Sequence, residues 1–149
     1  MLYIVYVIAV FIYLLEGIGL SRRLIYFWDG TSFWFILIPC LLVLICTRSL
    51  KDLGSAFLLL FDKGETSLTQ YQKSLGAIKT LLITAVISGG ICFFISMINS
   101  FRSFDATYTD SLYWLILDIS VAMLSLLYPL VLLLLLLPLY LLLKKRITV

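Results

Sequence analysis

Few residues in this chain carry groups able to do chemistry, and they lie in apolar surroundings. Asp118 is the most unusual, a carboxylate about two turns inside the longest apolar block, followed at steps of four, three and four by Ala122, Ser125 and Pro129. These spacings put all four on one helix face. An acid inside a membrane is costly and normally faces water, a bundle interior or a partner. Asp118 therefore reads either as an ion-handling group or as an acid hydrated at the membrane surface. Ser125 could line a channel or bond back to its own helix.

A second pattern runs through Gly76, Thr80, Thr84, Ser88, Cys92 and Ser96, one small or weakly polar residue at every fourth position. Such a row lets another helix approach closely, or forms a hydrated pore wall. Gly89 and Gly90 beside it add close approach or local flexibility. Glu16 reads as an interfacial acid.

Enzyme chemistry is not indicated. The chain has no His, no phosphate-binding glycine loop, no nucleophile elbow and no paired carboxylates at catalytic spacing. Cys40, Cys46 and Cys92 lack metal-ligand spacing and lie inside apolar blocks, so neither a metal site nor a disulfide framework is expected. No cofactor is implied. The net charge is +3, but the Lys and Arg stand at block edges and form no stripe for nucleic acid.

The elements that must position these residues follow from composition. Of 149 residues 63% are apolar and 13% charged, against about 45–50% and about 25% in soluble domains. Lipid must therefore cover most of the exterior. The expected class is an all-α polytopic membrane protein, a single domain with transmembrane helices at about 2–20, 31–47, 75–101 and 112–143. The first block starts directly after Met1 without a basic n-region or small-residue cleavage site, so it reads as an uncleaved span. Trp28 and Trp34 suit an interface. The last block would extend about 48 Å, well beyond a hydrocarbon core of about 30 Å, and Pro129 and Pro138 interrupt or kink it. Segment 48–74 reads as a short cytoplasmic stretch, with Leu53 to Phe61 as an interfacial or helix-extending piece.

Orientation follows from the basic residues. Arg48, Lys51, Lys63, Lys73, Lys79, Lys144, Lys145 and Arg146 fall on one side, against Arg22, Arg23 and Arg102 on the other. This excess places both termini in the cytoplasm.

Tyr26-Phe27-Trp28-Asp29-Gly30-Thr31-Ser32, an apolar run, then Arg48-Ser49-Leu50-Lys51-Asp52-Leu53 resembles the second-helix region of MotA-type stator subunits. There an F-x-D-x-x-S element opens the helix and an L-K-D-L-like element closes it. Gly89 to Met97, a polar loop, Ser120 to Pro129 and Pro138 are similar to the MotA/TolQ/ExbB ion-channel family. That resemblance implies a pore lined by helices three and four in a homo-oligomeric ring, commonly of five copies. The ring would surround a single-span MotB/TolR/ExbD-like partner that supplies the ion-carrying Asp. Ser125 then matches a Thr-rich pore position, Gly90 a second Thr position, and Tyr128 the Tyr of a T-T-L-Y-G stretch whose Gly is replaced by Pro129. Asp118 stands where the family has a small apolar residue, and the segment between helices two and three is much shorter than in flagellar members. The expected function is a pore-forming subunit of a proton- or sodium-driven motor in the bacterial inner membrane. The rival is a non-conducting scaffold of the same architecture.

Overall fold

The computed structural model describes residues 2–18, 29–61, 67–104 and 111–148. The expectations for Arg22, Arg23, Trp28, Lys63 and the 26–28 part of the motif lie outside the described residues. Within them the chain is all-helical: α1 (Leu2–Ile18), α2 (Gly30–Cys46), α3 (Leu50–Phe61), α4 (Leu68–Ser103) and α5 (Ser111–Thr148). A helix is the form in which an apolar segment satisfies its backbone without water, which is what these Leu- and Ile-rich runs require.

Helix length sorts them. At 36 and 38 residues, α4 and α5 extend about 54 and 57 Å, enough to cross a bilayer and project from it. Among the described residues they are the two helices long and apolar enough to cross a membrane, and α2 with α3 makes a third only if the pair, bent by 95°, counts as one span. Helix α1 is a shorter apolar helix of 17 residues. The two long helices point to a membrane protein, while the four spans expected from the sequence are not all given by helix length.

Helices α4 and α5 pack along each other most extensively, α2 lies on α4, and α3 crosses the same pair. Two apolar clusters hold the assembly. Ile36 and Cys40 of α2 meet Ala85 of α4. Nearer the α3 end, Ala56 and Leu59 meet Tyr71 and Ile78 of α4 and Leu136, Leu139 and Leu143 of α5. Arg146 fastens that end, donating through Nη1 to the Leu59 carbonyl at 2.8 Å and lying 3.5 Å from the Tyr71 hydroxyl. A cation on a carbonyl in the last turn of α3 satisfies an orphan acceptor and complements the helix dipole.

The sharp α2–α3 bend corrects one sequence expectation. Leu50-Lys51-Asp52-Leu53 does not close the second helix; it is the first turn of the third. Helix α2 ends at Cys46 with Thr47 as C-cap, and Ser49 N–H bonds to the Leu44 carbonyl at 2.9 Å while Arg48 N–H bonds to Ile45 at 3.0 Å. This is the Schellman arrangement, with Arg48 at φ 54° in the left-handed place usually held by Gly. The chain restarts at once as α3, so most of segment 48–74 is helical. Helix α4 likewise begins before its apolar block, at Leu68 rather than Leu75.

Pro138 lies inside α5 and has no N–H, so the Leu134 carbonyl loses its intrahelical donor. Helix α1 replaces it. Tyr6 donates its hydroxyl to Leu134 O at 2.9 Å, and Tyr3 donates to the adjacent Leu135 O at 3.2 Å. Both tyrosines lie one turn apart on α1, so one helix end serves two carbonyls. The Tyr6→Phe substitution is expected to loosen α1 by about 0.5–1.5 kcal/mol, and to cost much less in a Pro138→Ala background, where the substituted residue restores the donor. A double-mutant cycle on unfolding midpoints in one detergent reads this coupling, and additive effects would detach the tyrosine from the proline.

Candidate functional site

Three helices meet where the start of α2 touches the middle of α4 and α5. Asp29 is the N-cap of α2. Its carboxylate accepts from Thr31 N–H at 3.2 Å and Ser32 N–H at 3.1 Å, and also from the Ser32 hydroxyl. An acid here satisfies orphan donors and faces the positive end of the helix dipole. The D-x-x-S element of the sequence thus opens α2 as expected, for a capping reason. Asp29 N–H in turn donates to the Tyr128 hydroxyl of α5 at 2.8 Å, with Phe33 edge-on to the Tyr128 ring at 6.3 Å. Ser32 is buried and accepts a long contact from Cys92 Sγ of α4 at 3.9 Å. One cap therefore joins three helices.

The α4–α5 seam is tightest at Gly89. A Cβ there would stand 2.6 Å from Pro129 Cγ and 2.6 Å from the Ser125 carbonyl oxygen, closer than any side chain tolerates. Pro129 has no N–H, so the Ser125 carbonyl is the one its helix leaves unpaired. The bare Gly89 Cα hydrogen points at that oxygen along the direction a Cβ would take, a weak but recurrent contact at helix interfaces. Pro129 and Gly89 thus form one packed unit.

Each sequence-predicted residue has a definite place. Ser125 is fully buried in this seam and donates to Ala122 O of its own helix at 2.6 Å, so in the single chain its hydroxyl faces neither lipid nor water. Ser88 is buried on α4. Thr84 is half-buried and bonds back to Thr80 O at 2.9 Å. Gly90 has open space where a Cβ would go. The every-fourth row on α4 starts exposed at Gly76 and enters the seam at Ser88 and Cys92, because steps of four drift about 40° around a 3.6-residue helix. On α5 the face buried from Ala122 to Pro129 is uncovered at Asp118, which is exposed, as are Leu117 and Trp114 beside it. Asp118 makes no hydrogen bond or ion pair with a described residue.

The structure therefore brings Gly89, Ser125 and Pro129 together, sets Tyr128 on the neighbouring α2 cap, and leaves Asp118 and Gly90 outside the seam. Among the described residues no group of three or more Cys, Asp or Glu could hold a metal. Asp29 and Gly89 carry more of this junction than the sequence patterns alone assigned them. An N-cap signature before the apolar run could have found Asp29, whereas only the proline-freed carbonyl explains Gly89. No family model, characterised protein or solved structure matches the chain.

Adjacent glycines should behave oppositely. Gly89→Ala is expected to lower stability by about 1–3 kcal/mol by forcing α4 and α5 apart. Gly90→Ala should leave it unchanged or raise it by up to about 1 kcal/mol through helix propensity. Thermal unfolding of both variants in one detergent checks the contrast, and equal shifts would show that the seam is not tight at Gly89.

Proposed function

We propose that this chain is the pore-forming subunit of an ion-driven machine of MotA/TolQ/ExbB type. In this reading several copies, five as the resemblance implies, surround a single-span partner that supplies the ion-carrying Asp. The ion path runs between chains, along the α5 face that carries Asp118, rather than through the seam that holds Ser125. The observation that carries it is Asp118 itself, an exposed carboxylate with no partner among the described residues, on an otherwise apolar wall. A charge so placed needs water, a cation or a neighbouring subunit. Exposed Leu112, Trp114, Val121 and Met123 on α5 and Phe94 and Ile98 on α4 supply wall for neighbouring copies or lipid.

Orientation in a bacterial inner membrane, with both termini cytoplasmic and α1 and α2 as further spans, is part of the same proposal. Its support is that Arg48 in the α2–α3 turn, Lys51 on α3, Lys73 on α4, and Lys144, Lys145 and Arg146 on α5 belong to the end of the α4–α5 pair where α3 crosses.

A second reading, a non-conducting scaffold, is favoured by a different observation. The hydroxyls of Thr84, Ser100, Ser120 and Ser125 all donate to carbonyls of their own helices, so they serve the backbone first.

Asp118→Asn keeps the shape and removes the charge. Under the first reading, vesicles holding the protein and its partner lose ion flux and its pH dependence flattens, while the amount of folded protein is unchanged. Superimposable flux curves for the two proteins would remove Asp118 from transport, and flux no higher than in protein-free vesicles would leave the scaffold. Native mass spectrometry in mild detergent checks the ring, which a purely monomeric spectrum would exclude.

A further inference from the structure

A groove of about 290 Å³ runs between α2 and α5, with Leu37, Leu41 and Leu44 along its α2 wall. Phe33 and Tyr128 stand at one end, and Leu44 with Leu53 of α3 at the other. The Tyr128 hydroxyl already holds the Asp29 N–H, so the lining offers an occupant little but carbon. Water is a poor tenant there, since a buried water needs two to four polar partners. Leu41 is itself exposed, and Ile38 beside it is exposed too, so the groove opens toward the hydrocarbon. Part of an acyl chain matches that chemistry and those surroundings.

The α3 end of this groove carries an independent anomaly. Arg48 occupies the left-handed position of the α2 C-terminal turn at φ 54°, where Gly would sit without its Cβ conflict. The arginine is thus not there for the turn. Its side chain is exposed and makes no hydrogen bond or ion pair with a described residue. The same turn is bonded to the groove wall, Ser49 N–H donating to the Leu44 carbonyl at 2.9 Å. The Arg48 backbone is thereby fixed next to the Leu44 end of the apolar slot, where α3 leaves the line of α2, with its exposed side chain within reach of that end.

We propose that this groove binds an anionic phospholipid, with an acyl chain between α2 and α5 and the headgroup phosphate at Arg48. A guanidinium presents paired donors that match phosphate oxygens, and basic sites between membrane helices on the cytoplasmic side select anionic headgroups. The assignment requires only that α2 lies in a bilayer and is independent of ion transport.

The test is native mass spectrometry of the protein released from vesicles containing equal phosphatidylglycerol and phosphatidylcholine. The wild type should retain phosphatidylglycerol in preference. Arg48→Gln, which keeps the backbone problem and removes the charge, should cut that preference about five-fold. Arg48→Lys should keep most of it. Leu37→Trp, which fills the slot, should reduce retention of both lipids. Arg48→Gly should unfold at the same temperature as wild type or higher. An unchanged preference in Arg48→Gln, unchanged retention in a folded Leu37→Trp, or a lowered midpoint in Arg48→Gly would each overturn the assignment.

Discussion

In hydrocarbon there is no water to rescue a backbone group that its own helix cannot pair, and each such group costs several kcal/mol if left alone. The helices of this chain create such groups at their ends and at prolines, and several contacts that define the fold answer them. Pro138 frees Leu134 O, and Tyr6 of α1 reaches it. Pro129 frees Ser125 O, and α4 comes close enough through Gly89 to shield it. The first amides of α2 find Asp29, its last carbonyls find the Arg48 turn, and Leu59 O near the end of α3 finds Arg146. Apolar packing holds the helices together, yet it is non-directional. The polar ends set which helix meets which, and at what level.

This explains why the small residues concentrate where they do. The seam between α4 and α5 must be narrow at Gly89 because a proline carbonyl lies across it, and Ala85, Ser88, Cys92, Ala122 and Ser125 all lie buried on the same stretch. Van der Waals contact between close backbones is the main attraction available between helices already surrounded by lipid. A seam closed in this way leaves its small residues inside, and the covered stretch of α5 ends where Asp118 emerges on the outward face.

The coarse plan was legible in the sequence. Apolar blocks located α2 to within a residue at each end, and the class of the chain follows from composition alone. Legibility ended where structure depends on partners far along the chain. Helix α3 was visible only as an apolar run because the break before it rests on Arg48 adopting a conformation that glycine usually marks. The early start of α4 was hidden because Tyr71, Ser74 and Ala77 are buried against neighbouring helices rather than against lipid, so their mixed polarity masked a continuous helix. The every-fourth row on α4 serves close helix approach over only part of its length. A row that drifts about 40° per step cannot line one surface along its whole length, and its members divide between exterior and seam. Nothing local ties Tyr3 and Tyr6 to the Pro138 turn, since both hydrogen bonds join opposite ends of the chain.

These fastenings also decide what can move. Sliding α4 along α5 would carry Gly89 off the Ser125–Pro129 ridge and drive a side chain into it, and tilting α5 alone would pull Arg146 from Leu59 O. Helices α2 to α5 are coupled at both ends, by the Asp29–Tyr128 contact and by the Arg146 clamp. Helix α1 differs, since it packs mainly on α5 and is fastened there through the hydroxyls of Tyr3 and Tyr6. Displacing one of these four helices against another would have to break a fastening outright, because packed interfaces are bistable rather than continuously deformable. What stays open to lipid or to another chain is the exposed faces of α4 and α5, not the interior that joins them.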